Sequence, residues 1–226
     1  MNDLDFKYND LWRTDKYDWR RFSSEKYNKH WIKNNNLIIN DLTRIDNLDN
    51  SDSTEMQVVW LRNIDRLMDM TPNWFDPKDF SLLDVGCGIG ISTLYFVENY
   101  NFQQYLGFDN INSYIEIAKK NLITYSQNKK MRKDEVIFFE KDANNILLDS
   151  KRYFIFLFNP FGVKTFLNFI NNNINNLNIS KSIIAISNDL WINEITKYNF
   201  YQEITRNQKF NLSLIYFNCN YINYSL

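Results

Sequence analysis

The chain has 226 residues, enough for one domain with a sizeable core and a modest extension, and its 44% hydrophobic and 23% charged residues are ordinary for a soluble globular protein. A formal charge of −1 offers no long-range attraction to phosphate backbones or anionic membranes, which disfavours nucleic acid as a partner. Two distant cysteines, Cys87 and Cys219, and the lone His30 supply neither a disulfide framework nor a metal-ligand spacing, and no apolar run reaches membrane-spanning length, so the expected location is the reducing cytoplasm.

Residues 1–50 interleave Tyr8, Trp12, Tyr17, Trp19, Phe22, Tyr27 and Trp31 with charges and show neither repeat nor strand alternation. These aromatics suit an acceptor pocket or simple packing of an extension, and the sequence does not separate the two. Asp52 with Glu55 three residues on resembles a capping box, and Met56, Val59, Trp60, Ile64, Leu67 and Met68 recur at helical spacing. Pro72 and Pro77 end that helix.

Strand-like and helix-like segments then alternate. Ser81–Val85 leads into glycines and a helix over Ile91–Tyr100; Tyr105–Phe108 ends at Asp109 before a helix over Asn112–Tyr125. Val136–Phe139 ends near Asp142, and Tyr153–Phe158 ends at Asn159-Pro160 before a helix over Val163–Ile170. The asparagine-rich Asn171–Asn178 reads as a compositional bias of the coding sequence. Ser182–Ser187 ends at Asn188-Asp189, with a short helix over Trp191–Tyr198. Two last strands, Phe200–Thr205 and Asn211–Phe217, are joined by too few residues for a parallel crossover and must pair antiparallel.

This alternation predicts an α/β domain, a mostly parallel sheet with helices on both faces. Asp84, Asp109, Asp142, Asn159 and Asn188 all fall at or just after strand ends, where open α/β sheets bind ligands.

Three of the five glycines lie within five residues, in Leu82-Leu83-Asp84-Val85-Gly86-Cys87-Gly88-Ile89-Gly90. Glycines here permit a tight strand-to-helix turn and let a ligand approach the backbone. A dinucleotide fingerprint would place its third glycine at position 91, where Ile91 stands, and the Walker lysine is missing. That argues against a nicotinamide-dependent oxidoreductase and against a nucleotide-phosphate site. An acidic residue beside the loop suits a ligand carrying an ammonium group.

Leu83-Asp84-Val85-Gly86-Cys87-Gly88-Ile89-Gly90 resembles the first motif of the class I S-adenosylmethionine-dependent methyltransferases, and the resemblance extends over roughly residues 80–220. The resemblance implies a Rossmann-like, seven-stranded sheet with an antiparallel last strand, formed by residues 79–226. Residues 1–78 would be a helical or irregular cap on the same domain. It implies a cofactor site for S-adenosylmethionine made of Asp84, Gly86, Cys87, Gly88, Gly90, Asp109, Asn110, Asp142, Ala143 and Asn159. Asp109 matches the family's ribose-binding acid, and one carboxylate can accept two hydroxyl hydrogen bonds. The rival reading, set second, is a helix N-cap. Asp142-Ala143 matches the place that contacts the adenine amino group, although a solvated loop carboxylate fits too.

Asn159-Pro160-Phe161-Gly162 is similar to the Asn-Pro-Pro-Tyr motif of nitrogen methyltransferases but departs from it at the third and fourth positions. It also reads as a strand-ending turn. By resemblance Asn159 is the candidate catalytic residue, aiming an acceptor at the methyl group. For an oxygen acceptor, His30 would be the general base, unless it is a surface residue. Cys87 suits a small buried hydrophobe better than a nucleophile. The implied function is methyl transfer to an acceptor, small molecule or protein, that the sequence does not identify. The alternative is a non-catalytic S-adenosylmethionine-binding protein or partner subunit on the same fold.

Overall fold

A computed structural model describes residues 17–39, 57–129, 135–198 and 200–217. Its centre is one seven-stranded sheet: β1 (Ser81–Val85), β2 (Gln104–Asp109), β3 (Val136–Glu140), β4 (Tyr153–Phe158), β5 (Ile183–Ser187), β6 (Glu203–Asn207) and β7 (Leu212–Tyr216). The spatial order is β3-β2-β1-β4-β5-β7-β6. The first five strands run parallel, and β7 runs antiparallel to both β5 and β6, as the short connection requires. The chain winds outward from β1 to β3, then returns to place β4 on the other side of β1. That reversal opens a crevice at the carboxyl ends of β1 and β4.

Alternate residues of the apolar strands feed two cores. Leu82, Phe154, Phe156 and Ala185 face one side, with buried residues of α1 (Tyr17–Asn34), α2 (Leu61–Asp69), α3 (Ile91–Asn99) and α4 (Asn112–Asn128). Leu83, Ile155, Leu157 and Ile186 face the other, against α5 (Val163–Ser180) and α6 (Ile192–Ile195). Such strands, buried on both faces, read as continuous apolar runs, which is why Tyr153–Phe158 is recovered from sequence to the residue.

The differences from expectation have physical causes. Helix α2 begins only at Leu61, and residues 57–60 are extended. Its N-cap, Trp60, makes no side-chain cap; instead Asn28 from α1 accepts from the Leu61 N–H at 3.0 Å and donates to the Val59 carbonyl at 2.7 Å. A tertiary contact thus supplies the cap that local spacing assigned to Asp52 and Glu55, which lie outside the described residues. Helix α5 runs ten residues past Ile170, through the asparagine-rich stretch, because several of those amides bond the β3–β4 loop, with Asn173 also donating to the Phe169 carbonyl of its own helix at 2.8 Å. Helix α6 is shorter than expected, and β6 starts at Glu203 rather than Phe200. No helix of the described residues is long and apolar enough to cross a membrane.

Candidate active site

The turn after β1 holds Gly86, Gly88 and Gly90 at φ of 69°, 52° and 81°, the left-handed region that side chains resist. The Gly86 and Cys87 N–H groups both donate to the Phe108 carbonyl at 2.9 Å, tying the loop to the end of β2. A Cβ on Gly86 would lie 2.2 Å from Pro160 Cβ, so the glycine loop and the Asn159-Pro160 turn interlock. Gly90 differs: it is the N-cap of α3, a Cβ there would meet the Phe138 ring at 2.7 Å, and it does not line the cleft. Its place is in packing helix against sheet.

Asp84 is 1% exposed. One carboxylate oxygen accepts from Ser92 Oγ and Thr93 Oγ1, both at 2.6 Å, from the first turn of α3. Burial pushes its carboxyl up to about 6, against the opposing pull of these two hydroxyls. Among the described residues no lysine or arginine forms an ion pair with it. A buried carboxylate held by two hydroxyls and the Thr93 backbone, without a charged partner among the described residues, is electrostatically suited to a cationic ligand. Burial also raises the Cys87 thiol well above its ordinary range, so the side chain is a buried apolar filler, as its position in the loop suggests.

Asp109, the last residue of β2, accepts from the Gly88 N–H on one oxygen and the Ile111 N–H on the other, each at 3.0 Å. It does not cap α4 in the ordinary sense, since the N-cap is Ile111, without a side-chain bond. Burial raises its carboxyl. With the Asn110 backbone as a third partner, the carboxylate still has accepting capacity for a hydroxyl. After β3, Asp142 accepts from both the backbone N–H (2.8 Å) and the side-chain amide (3.0 Å) of Asn144, capping the turn at Ala143–Asn145. Asn159, at φ 47°, accepts on Oδ1 from the Asn188 amide at 3.0 Å; Asn188 directly follows the adjacent strand β5 and has a φ of 64°.

These groups converge on one cleft. Asp84, Gly86, Cys87, Gly88, Asp109, Asn110, Asp142, Ala143 and Asn159 all line it, so of the ten candidate residues only Gly90 stands outside. Phe158, Pro160 and Phe161 close the β4 side. His30 does not reach the cleft; it is exposed on α1, with its Nε2 2.9 Å from the Asn34 amide. Tyr27 and Trp31 pack edge-on against Tyr95 and likewise do not line the cleft.

Sequence reasoning missed three contributors. Ser92 and Thr93, which hold Asp84, carried a faint signal, hydroxyl residues one turn past the glycines. Gln57-Val58-Val59 forms a wall of the cleft, but its helical spacing with later residues concealed an extended segment. Asn144 had no local signal at all.

No protein-family model matches the chain. An uncharacterized protein of Rickettsia prowazekii (strain Madrid E) is 38% identical over 63 residues, 28% of this chain and 24% of that protein, so the match spans about a quarter of the relative's length. Among solved structures, the human methyltransferase 10 domain containing protein superposes with a TM-score of 0.56 at 13% identity, covering 86% of this chain and 97% of that one. The M. capricolum TrmK structure, in complex with S-adenosyl-homocysteine, gives a TM-score of 0.44 at 17% identity, over 74% of this chain and 70% of that one. The strand order, the antiparallel β7 and the superposition agree: the chain has the Rossmann-like fold of the class I S-adenosylmethionine-dependent methyltransferases.

Proposed function

We propose that the chain binds S-adenosylmethionine and transfers its methyl group to an acceptor, a small molecule or a protein nitrogen or oxygen. One observation carries this reading: nine residues named from the sequence motif, contributed by four strand ends, line a single cleft at the sheet's reversal point. Their chemistry suits the cofactor's parts. Asp109 presents lone pairs for the two ribose hydroxyls, Asp84 a buried negative charge for the methionine ammonium, and Asp142 with Ala143 a place for the adenine. The left-handed glycine turn brings backbone within reach of the ligand.

When bound, the cofactor supplies a methyl group on a positively charged sulfur that is a good leaving group. The protein's own work is then positioning and water exclusion. In this reading Asn159, which lines the cleft after β4, meets the acceptor. Its Oδ1 is held by the Asn188 amide, which fixes the direction of an oxygen able to accept from an acceptor N–H or O–H. Phe158 and Phe161 line the same cleft. His30 has no part in this reading.

The test is calorimetric titration of the full chain with S-adenosylmethionine and S-adenosylhomocysteine, beside Asp109→Ala. Two charge-assisted hydrogen bonds lost together are expected to weaken binding about a hundredfold or more. Binding by neither ligand in a well-folded protein refutes the reading. Transfer of labelled methyl from the cofactor into cell extract then separates an enzyme from a non-catalytic binding protein on this fold.

A further inference from the structure

The asparagines of α5 form a ladder that grips the far side of the loop carrying Asp142. Asn168 donates its amide to Asn144 Oδ1 at 3.0 Å, and Asn172 donates to the Asn144 carbonyl at 2.8 Å. Deeper in, buried Asn173 donates to the Ile146 carbonyl at 3.1 Å and accepts from the Leu148 N–H at 2.7 Å, while Asn176 donates to the Leu148 carbonyl. Residues four apart on a helix stand on one face, so 168, 172 and 176 make a single row of donors along the loop.

The row has a consequence for the cleft. Asn144 is both its client and the partner of Asp142. With Asn144 Oδ1 held by Asn168, its NH2 must turn the other way, and it meets Asp142 Oδ1 at 3.0 Å. The Asn144 backbone N–H meets that same oxygen at 2.8 Å. Both bonds fall on Oδ1, which orients the carboxylate with Oδ2 turned to other partners. Asn144 and Asp142 themselves line the cleft; Asn168 and Asn172 are exposed on its outside.

We infer that Asn168 and Asn172 are positioning residues for the adenine end of the site: through Asn144 they orient the Asp142 carboxylate to accept from the exocyclic amino group of a 6-aminopurine, and so set the preference for adenine over hypoxanthine. This rests on the cofactor reading above. The polar stretch that composition explains as coding bias is thereby a structural element, a set of side-chain donors on the outer wall of the binding loop.

The experiment uses the full chain, with Asn168→Ala/Asn172→Ala and, separately, Asn168→Asp, which replaces the donor by an acceptor of the same shape. Each is titrated with S-adenosylhomocysteine and with S-inosylhomocysteine, which has a 6-oxo group in place of the amine. Wild type is expected to prefer the adenine ligand by about tenfold, the worth of a hydrogen bond to a charged group, and the variants to reduce that ratio to about twofold or less. Loss of affinity for both ligands by one common factor, with the ratio kept, would mean that the ladder merely supports the loop, and overturns the inference. So does a wild type that binds both ligands equally. Failure of the wild type to bind S-adenosylhomocysteine at all is a different result and refutes the cofactor reading. Melting curves accompany the titrations, and because both residues are exposed the variants are expected to fold.

Discussion

Replacing Gly86 by alanine tests the interlock between the two loops that form the cleft. The residue sits at φ 69°, where a Cβ costs about 1–2 kcal/mol by itself. The added methyl would also lie 2.2 Å from Pro160 Cβ and 3.2 Å from Pro160 Cα. Carbon atoms pack at about 3.5–4.0 Å, so one loop must retreat by more than about 1 Å. Neither retreat is free. The glycine loop is held by two N–H bonds to the Phe108 carbonyl, and Pro160 follows Asn159, itself left-handed and bonded to Asn188. Overpacking of this kind adds about 1–3 kcal/mol, for a combined cost of about 2–5 kcal/mol. For a chain of this size the expected fall in Tm is roughly 4–20 °C. Because the retreat displaces Asn159 and Pro160 or the glycine loop, affinity for S-adenosylhomocysteine is expected to fall with it. Thermal melts and titration of Gly86→Ala beside wild type read both. A variant that melts within about 2 °C of wild type and keeps its affinity refutes the interlock, since the strain alone predicts more than that.

Asp84 gives a pH dependence. Its carboxyl rises from 3.8 to about 6 on burial, equivalent to about 3 kcal/mol between its two forms. Between those values the folded chain holds a proton that the unfolded chain has released, so this carboxyl favours folding most below about pH 4, and the contribution is lost as pH rises through about 6. A bound ammonium favours the charged form instead. S-adenosylmethionine is therefore expected to bind about tenfold more weakly near pH 5 than near pH 7.5, whereas 5′-methylthioadenosine, which lacks the ammonium, changes much less; equal pH profiles for the two ligands would remove Asp84 from that role. At the other edge, the fully buried Asp189 carboxylate is held by Arg206 through Nε at 2.7 Å and Nη2 at 3.1 Å, and by Ser213. Arg206→Ala strands that charge and is expected to cost about 3–5 kcal/mol, read as a lower denaturation midpoint, with Arg206→Lys recovering part of it. A neutral outcome for Arg206→Ala would show that Asp189 finds another partner.

The fold and most of the site are legible in the chain because their signals are local. A parallel strand buried on both faces is a continuous apolar run, as in Tyr153–Phe158, and needs no neighbour to be recognised. The left-handed turn demands glycine at Gly86, Gly88 and Gly90, and the residues that end strands announce themselves as Asp109, Asp142 and Asn159. Short connections determine that β7 must run against its neighbours.

What only the tertiary structure decided depends on residues far apart in sequence. The start of α2 is set by Asn28, thirty-three residues upstream of Leu61, and no window around Asp52 or Glu55 contains it. Gly90 belongs to the same glycine motif as Gly86, yet the neighbours brought to them by the sheet, Phe138 for one and Pro160 for the other, give one a packing role and the other a place at the cleft. His30 is the obvious base by chemistry, and the fold puts it on the exposed side of α1, outside the residues that line the cleft. The amides of α5 carry no periodic apolar signal, and their meaning comes from the carbonyls of a loop some twenty-five residues earlier, which only the packing of α5 on the sheet brings within hydrogen-bonding distance. Periodicity and turn chemistry are properties of neighbouring residues, whereas caps, carboxylate environments and side-chain orientations are properties of whatever the folded chain places beside them.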